Sequence, residues 1–300
     1  MRVLVTGAGG FVGGHMTAFL RGTGAGVCTA PHRNLRGGFL AVKVLLKKLK
    51  PDRIIHLAAQ SSASLSWNAP RETILTNVLC ELNILEAARQ AGLSPSILIA
   101  GSSEEYGLVQ PEEIPIKEKT PLRPLSPYAV SKIAQSYLAY PYHRVCGMRV
   151  IRARAFPHTG PGQRADFALS SFARQIALIE AGRQRPVIET GNLGVVRDFT
   201  DVRDVVRAYW LLLEKGKSGE VYNVASGRGV ALKEIIRIYQ KHAKVKFRLH
   251  RDPKRVRPLE PAVVVGDASR LRVRTGWKAR IPLERTLADL LNFWRNQIGP

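Results

Sequence analysis

The chain has 300 residues, of which 46 are Lys or Arg and 23 are Asp or Glu, giving a formal charge of +23, and 45% of its residues are hydrophobic. This length accommodates one large α/β domain or a main domain with a smaller lobe, and the composition is ordinary globular usage, so disordered and disulfide-stapled miniature classes are excluded. No apolar run approaches the roughly 18–20 residues of a membrane span, and Cys28, Cys80 and Cys146 have neither metal spacing nor even number.

The opening stretch Met1–Gly7 reads as a strand entering a glycine turn, without the apolar core of a signal peptide, so a cytoplasmic protein is expected. From Arg228 onward 18 basic residues stand against 6 acidic ones, so the C-terminal quarter is disproportionately basic. Such a field attracts polyanions such as nucleic acid or smaller anions such as a nucleotide diphosphate. No aromatic-plus-basic stacking platform or recognition-helix motif accompanies it, so a non-catalytic nucleic-acid-binding module is the lesser expectation.

In chain order, Val3–Thr6 reads as a strand, followed by the turn GAGGFVG and a helix through Phe19 and Leu20. A strand at 25–30, a helix at 40–49 and a strand at 53–59 follow. Helical spacing then covers Thr73–Ala91, Ile97–Ala100 reads as a strand, Ser126–Pro127 opens a helix toward Cys146, and 149–156 is again a strand. Later elements are helices at 167–181, 201–213, 232–242 and 283–294, and a strand at 221–225. Strands alternating with helices of this length predict a doubly wound parallel sheet covered on both faces. The expected division is a dinucleotide-binding domain of residues 1–156 and 194–226, with a smaller substrate-binding lobe of 157–193 and 227–300.

Three local patterns carry chemistry. Gly7-x-x-Gly10-x-x-Gly13, with Phe11 and Val12 opening the helix, lets main-chain N–H groups and the helix N-terminus meet a pyrophosphate. Met1–Pro51 contains no acidic residue, while His32, Arg33 and Arg36 follow the second strand. An NAD site wants a carboxylate for the ribose hydroxyls there, so the cations favour NADP, unless they are merely solvated loop residues. Tyr128 and Lys132, four apart on one helical face, can pair a phenol with an ammonium that makes it a better proton donor. A lone Y-x-x-x-K also arises by chance on surface helices. Here it follows Gly101-Ser102-Ser103-Glu104-Glu105-Tyr106-Gly107, which sets hydroxyls and a carboxylate at a strand's C-terminal end, and the combination is far more specific than either part.

Together, GAGGFVG, His56-Leu57-Ala58-Ala59, Asn77, GSSEEYG and YAVSK resemble the extended short-chain dehydrogenase/reductase family of nucleotide-sugar enzymes, over nearly the whole chain. GPGQ at 160–163, RDFTDVRD at 197–204, YNV at 222–224, RPLEP at 257–261 and TGW at 275–277 are similar to its GDP-mannose branch. The resemblance implies a Rossmann fold, NADP(H), a GDP-sugar substrate and a homodimer built on the helices 73–91 and 127–146. It implies Ser102, Tyr128 and Lys132 as the catalytic set and Gly7, Gly10, Phe11, Val12, Gly13, Arg33, Leu57, Ala58, Ala59, Tyr128 and Lys132 around the cofactor. Ser103, Glu104, Gln163, Arg197, Arg257 and Glu260 fall on the substrate, with the two arginines on the diphosphate and Glu260 on ribose hydroxyls, or alternatively in surface ion pairs. No metal is implied.

Within the branch the expected reaction is NADPH-dependent reduction of a 4-keto-6-deoxy sugar, since Ser102 stands where the branch's dehydratases usually carry threonine. Glu104 occupies the place of the dehydratase base and is otherwise a structural or sugar-hydroxyl contact, so dehydration is the alternative. Three departures stand out. The segment 34–50 is too short for the strand whose Asp contacts adenine in the family. Pro157 replaces an asparagine near the nicotinamide and sugar, and Pro141 lies inside the catalytic helix, where proline costs on the order of 3 kcal/mol or a kink.

Overall fold

Runs such as RVLVT, RIIH and VIRARA are buried at all but one position each, as strands covered on both faces are. The computed structural model describes residues 1–30, Leu35, 38–256 and 259–299 and shows these runs side by side. Arg2–Thr6 (β1), Gly26–Ala30 (β2), Arg53–His56 (β3), Ser96–Ser102 (β4) and Val150–Ala155 (β5) join Val221–Val224 in one six-stranded sheet. Its order is Val221–Val224, β5, β4, β3, β1, β2, with every pair parallel.

Helices cover both faces, as the parallel crossovers require. On one face Phe11–Gly22 (α1), Val202–Lys215 and Ser269–Thr275 enclose a core containing Val3, Val5, Leu98, Ile151, Tyr209 and Trp277. On the other, Phe39–Leu49, Cys80–Gln90 and Pro127–Cys146 enclose Leu4, Ile54, Ile84, Leu85, Ile97 and Val150. β1 sends its successor β2 to one side and is flanked by β3 on the other, so the topological switch point lies between β1 and β3. That crevice is where open α/β sheets bind ligands.

A separate core, including Phe172, Ile176, Ile188, Ile235, Tyr239 and Leu290, joins the helices Ala168–Glu180, Leu232–His242 and Leu283–Ile298 into a lobe beside the sheet. A three-stranded sheet of Gly229–Ala231, Val196–Asp198 and Val263–Val264 links it to the rest. Ala268, Leu271 and Trp277, assigned to the lobe on sequence, pack instead into the core beneath the main sheet. Their side chains follow Val221–Val224 and Val202–Lys215, the elements they lie against.

Local detail departs from the sequence reading where tertiary contacts act. β4 extends two residues further, to Ser102, and β3 stops at His56, leaving 57–59 as irregular chain. The stretch 73–91 is divided into Pro70–Ile74, a π-helical turn Leu75–Leu79 and Cys80–Gln90. No strand occurs between β2 and β3 among the described residues, and β2 is the sheet edge. Pro141 sits inside a helix that continues to Cys146. The carbonyl it leaves unpaired belongs to Tyr137, a residue 63% exposed, where water can replace the lost N–H.

Candidate active site

The glycine turn is built by exclusion of side chains. Gly7 has φ +71°, and a Cβ there would stand 2.8 Å from Ala58 N; a Cβ on Gly13 would stand 2.0 Å from the Gly7 carbonyl oxygen. Both glycines therefore allow α1 and the chain at Leu57–Ala58 to close on the turn. Thr6 Oγ1 secures the same junction by accepting from Leu57 N and Ala58 N, each at 3.2 Å. Gly10, Phe11 and Val12 start α1, and Ala59 follows Ala58, so these residues lie together at the switch point. The turn fits a dinucleotide pyrophosphate: it offers unobstructed main chain and a helix N-terminus. Gly13→Ala is expected to cost about 1–3 kcal/mol of stability through forced backbone movement, read as a lower denaturation midpoint together with weakened cofactor binding. Arg33, with His32 and Arg36, lies outside the described residues, as does Arg257.

Further along the chain, Ser126 caps the helix Pro127–Cys146 by accepting from Ala129 N at 3.1 Å, and Pro127 occupies its first turn, where its missing N–H costs nothing. This entry sets Tyr128 and Lys132 on the inward face, 8% and 5% exposed. Ser102, the last residue of β4, sets its side chain beside the Tyr128 phenol. Lys132 Nζ donates to the Ala100 carbonyl at 2.8 Å and lies 5.9 Å from the centre of the Tyr128 ring.

The charge states differ from the simple phenol–ammonium picture. Burial pushes the Tyr128 phenol well above its ordinary value; the neighbouring Ser102 hydroxyl opposes this, and the carboxylates of Glu104 and Glu105 add to it. Burial is the largest influence on the resting phenol, while the Lys132 ammonium, which donates to the Ala100 carbonyl, lies near enough to the ring to act on charge that develops there. Burial in turn lowers Lys132 to about 8, against the pull of Glu81 and Glu105.

A cavity of about 1010 Å³ opens beside this set, with Ser103, Glu104, Ser126, Pro157 and Arg197 in its wall and Trp67, Ile74 and Leu259 among its apolar members. Two substrate expectations change. Gln163 is spent within its own loop, since its amide accepts from Thr159 Oγ1 at 2.6 Å and donates to the His158 carbonyl at 2.9 Å. It shapes the GPGQ turn. Arg197 and Glu260, expected at separate parts of a nucleotide, pair with each other at 2.9 Å, and Arg197 also donates to the carbonyls of Val196 and Pro261. They form one fixed unit in the cavity wall.

Four residues were not singled out for these roles. Glu105 accepts from Ser102 N at 2.9 Å and from Arg154 Nε at 2.7 Å, fixing the end of β4. Asn77, on the π-helical turn, accepts from Gln60 N at 2.8 Å and donates to Ser131 Oγ at 2.8 Å, and Ser131 donates to the Tyr128 carbonyl. His158 stacks on Phe11 with centroids 6.2 Å apart, bringing the chain after β5 over the glycine turn. The sequence signal was available only for Asn77, inside a polar interruption of an otherwise apolar helix face.

A parallel sheet with a Cβ-free glycine turn at its switch point, opposite a serine–tyrosine–lysine set, defines a short-chain dehydrogenase/reductase of the extended, nucleotide-sugar type. The family profile described as GDP-mannose 4,6 dehydratase matches residues 39–290, and the chain belongs to that family. It is 38% identical over 299 residues to GDP-6-deoxy-D-mannose reductase of Pseudomonas aeruginosa, covering 99% of this chain and 98% of that protein. The solved structure of RMD from the same organism, complexed with NADPH, superposes with a TM-score of 0.92 at 37% identity, covering 99% of both chains. GDP-mannose 4,6-dehydratase of Yersinia enterocolitica is 29% identical over 278 residues, covering 82% of this chain and 74% of that protein.

Proposed function

We propose that the protein reduces the C4 ketone of GDP-4-keto-6-deoxy-D-mannose to GDP-D-rhamnose with NADPH. The observation that carries this reading is Tyr128, buried beside Ser102, with the chain neighbours of the pair, Ser103, Glu104, Ser126 and Pro127, lining the large cavity. The full-length similarity to the Pseudomonas aeruginosa reductase supports the choice of substrate and cofactor.

NADPH, when bound along the glycine turn, supplies hydride. The chain's part is then to hold the ketone oxygen and provide its proton. Ser102 Oγ donates a hydrogen bond to that oxygen, and the Tyr128 hydroxyl gives up its proton as negative charge develops there. A phenol held above its usual range stays protonated until the alkoxide forms, which suits a general acid. The Lys132 ammonium stabilises the phenolate left behind. The Arg197–Glu260 unit supports the diphosphate end of the sugar nucleotide, and Ser103 and Glu104 face the sugar.

A second cavity of about 310 Å³, with Arg174, Gln175, Glu189 and Arg255 in its wall, lies in the lobe and supports placing the nucleotide base there. Leu79, Tyr137, Tyr140 and Val145 are exposed on the two helices expected at a dimer interface, which supports a homodimer. Among the described residues no helix is long and apolar enough to cross a membrane, and the three free cysteines fit the reducing cytoplasm.

Purified protein is expected to oxidise NADPH in the presence of the ketosugar and to leave GDP-mannose unchanged. No oxidation with the ketosugar overturns the assignment. Glu104 in the cavity wall favours dehydration as the second reading; turnover of GDP-mannose without net NADPH loss, abolished in Glu104→Gln, would establish it. Because Lys132 is lowered to about 8, the ammonium is present below that pH and lost above it. The expected kcat/KM profile is therefore level toward neutrality and falls as pH rises through that range; a profile level well into the alkaline range contradicts the role given to Lys132.

A further inference from the structure

Behind the catalytic set lies a buried polar layer that the proposed chemistry does not use. Glu81, on Cys80–Gln90, is fully buried, and neither carboxyl oxygen has a hydrogen-bond partner. Gln135, on the catalytic helix, is fully buried and likewise has both side-chain polar atoms unpartnered. The two side chains approach each other without hydrogen-bond alignment.

Their register is informative. Asn77 and Ser131 form the bond that fixes the Tyr128 main chain. Glu81 and Gln135 each lie four residues later on their helices, so they make the next rung of the same helix pair, and Lys132 lies between the rungs. A buried carboxyl with no fixed partner is expensive unless charge or function retains it.

The charges around it show what retains it. Lys132 and Arg152 face Glu81 from the catalytic helix and β5. Glu105 is engaged by Arg154 at 2.7 Å. His56, facing Lys132 from β3, is driven by burial to about 3 and is neutral. Tyr128 is a protonated phenol. Glu81 and Glu105 both face Lys132, and with Glu105 held by Arg154, Glu81 is the one that no guanidinium holds; Arg152 also faces Glu105 and Glu220. Burial works against both partners, raising the Glu81 carboxyl and lowering Lys132, so one proton is contested between them.

We propose that Glu81 is a positioning residue for the reduction, acting through Lys132 by holding it as the ammonium from the far side of the helix pair. The proposal rests on the reductase reading given above. Glu81 touches neither substrate nor cofactor; its carboxylate keeps the charge on Lys132 that stabilises the Tyr128 phenolate.

The test is the pH profile of kcat/KM for ketosugar reduction by wild type, Glu81→Gln and Glu81→Asp. Glu81→Gln keeps the shape and removes the charge, so its alkaline limb is expected to move to lower pH. Near pH 6 it should lie within about twofold of wild type, and near pH 9 about tenfold below it, the ratio of a tenfold change in the Lys132 protonation constant. Glu81→Asp should restore most of the limb. A Glu81→Gln profile that superimposes on wild type, or that is lowered equally at every pH, overturns the proposal, the latter because it marks a structural role or service to Arg152. If Glu81→Gln does not fold, wild type labelled at lysine Nζ and glutamate Cδ is titrated by NMR, with Lys132→Met and Glu81→Asp assigning the signals. Lys132 and Glu81 are expected to respond at a shared midpoint, and independent midpoints overturn the proposal. Inactivity of the wild type itself refutes the reductase reading instead, which keeps the two failures distinct.

Discussion

Tyr128→Phe is expected to lower kcat for ketosugar reduction by about 100- to 10,000-fold, the range removed with a positioned general acid, while leaving the denaturation midpoint close to that of wild type. The phenol is 8% exposed, and its ring packs where phenylalanine fits without new volume. The Ser102 side chain beside the hydroxyl keeps its link to Glu104 N and so is not stranded by the change. KM is expected to change little, because the lost proton is needed only as charge develops on the ketone oxygen. Steady-state kinetics and thermal unfolding separate this outcome from a general loss of structure. Equal kcat for variant and wild type removes Tyr128 from the chemistry.

Glu105→Ala is expected to have the largest effect on stability, about 3–5 kcal/mol, because it leaves a buried guanidinium without its partner. The Glu105 and Arg154 side chains are 0% and 6% exposed, and Arg154 also donates to the Tyr106 hydroxyl and the Glu118 carbonyl. The loss extends to activity. Glu105 Oε1 accepts from Ser102 N, so its removal frees the end of β4 and with it the Ser102 hydroxyl. The double variant Glu105→Leu/Arg154→Met should recover much of the stability, since an apolar pair avoids the unpaired charge, yet recover less activity, because the Ser102 anchor is still missing. Chemical denaturation of the two variants and wild type measures the first effect, and kcat measures the second. Full recovery of activity in the double variant contradicts the anchoring role.

These two predictions also mark what could and could not be read along the chain. The glycine turn, the Ser126–Pro127 cap and the Tyr128–Lys132 spacing are local: a few adjacent residues dictate backbone freedom, capping or one helical face, so the pattern and the geometry coincide. The alternation of apolar strands with helices likewise fixes a covered parallel sheet, because strands buried on both faces and crossover helices are needed together. The supports of the site are pairings across distance. Glu105–Arg154 spans 49 residues, Asn77–Ser131 spans 54 and Arg197–Glu260 spans 63. No periodicity or spacing relates such partners. Arg197 and Glu260 therefore read as ligand groups or as surface ion pairs without any sign that they pair with each other, and nothing in the GPGQ spacing shows that the Gln163 amide bonds within its own turn. The sign of the burial effect on Tyr128 was similarly out of reach, since desolvation depends on everything packed around the phenol.

The central claim is that this crevice brings a hydride donor and the Tyr128 proton to one ketone. Incubating the protein with GDP-4-keto-6-deoxy-D-mannose and NADPH deuterated at the transferring position, then locating the label by mass spectrometry and NMR, tests it most directly. The account predicts one deuterium at sugar C4 in a GDP-6-deoxyhexose, formed mole for mole with NADP, and background levels only with Tyr128→Phe. An unlabelled product, or recovered ketosugar with the NADPH intact, contradicts it.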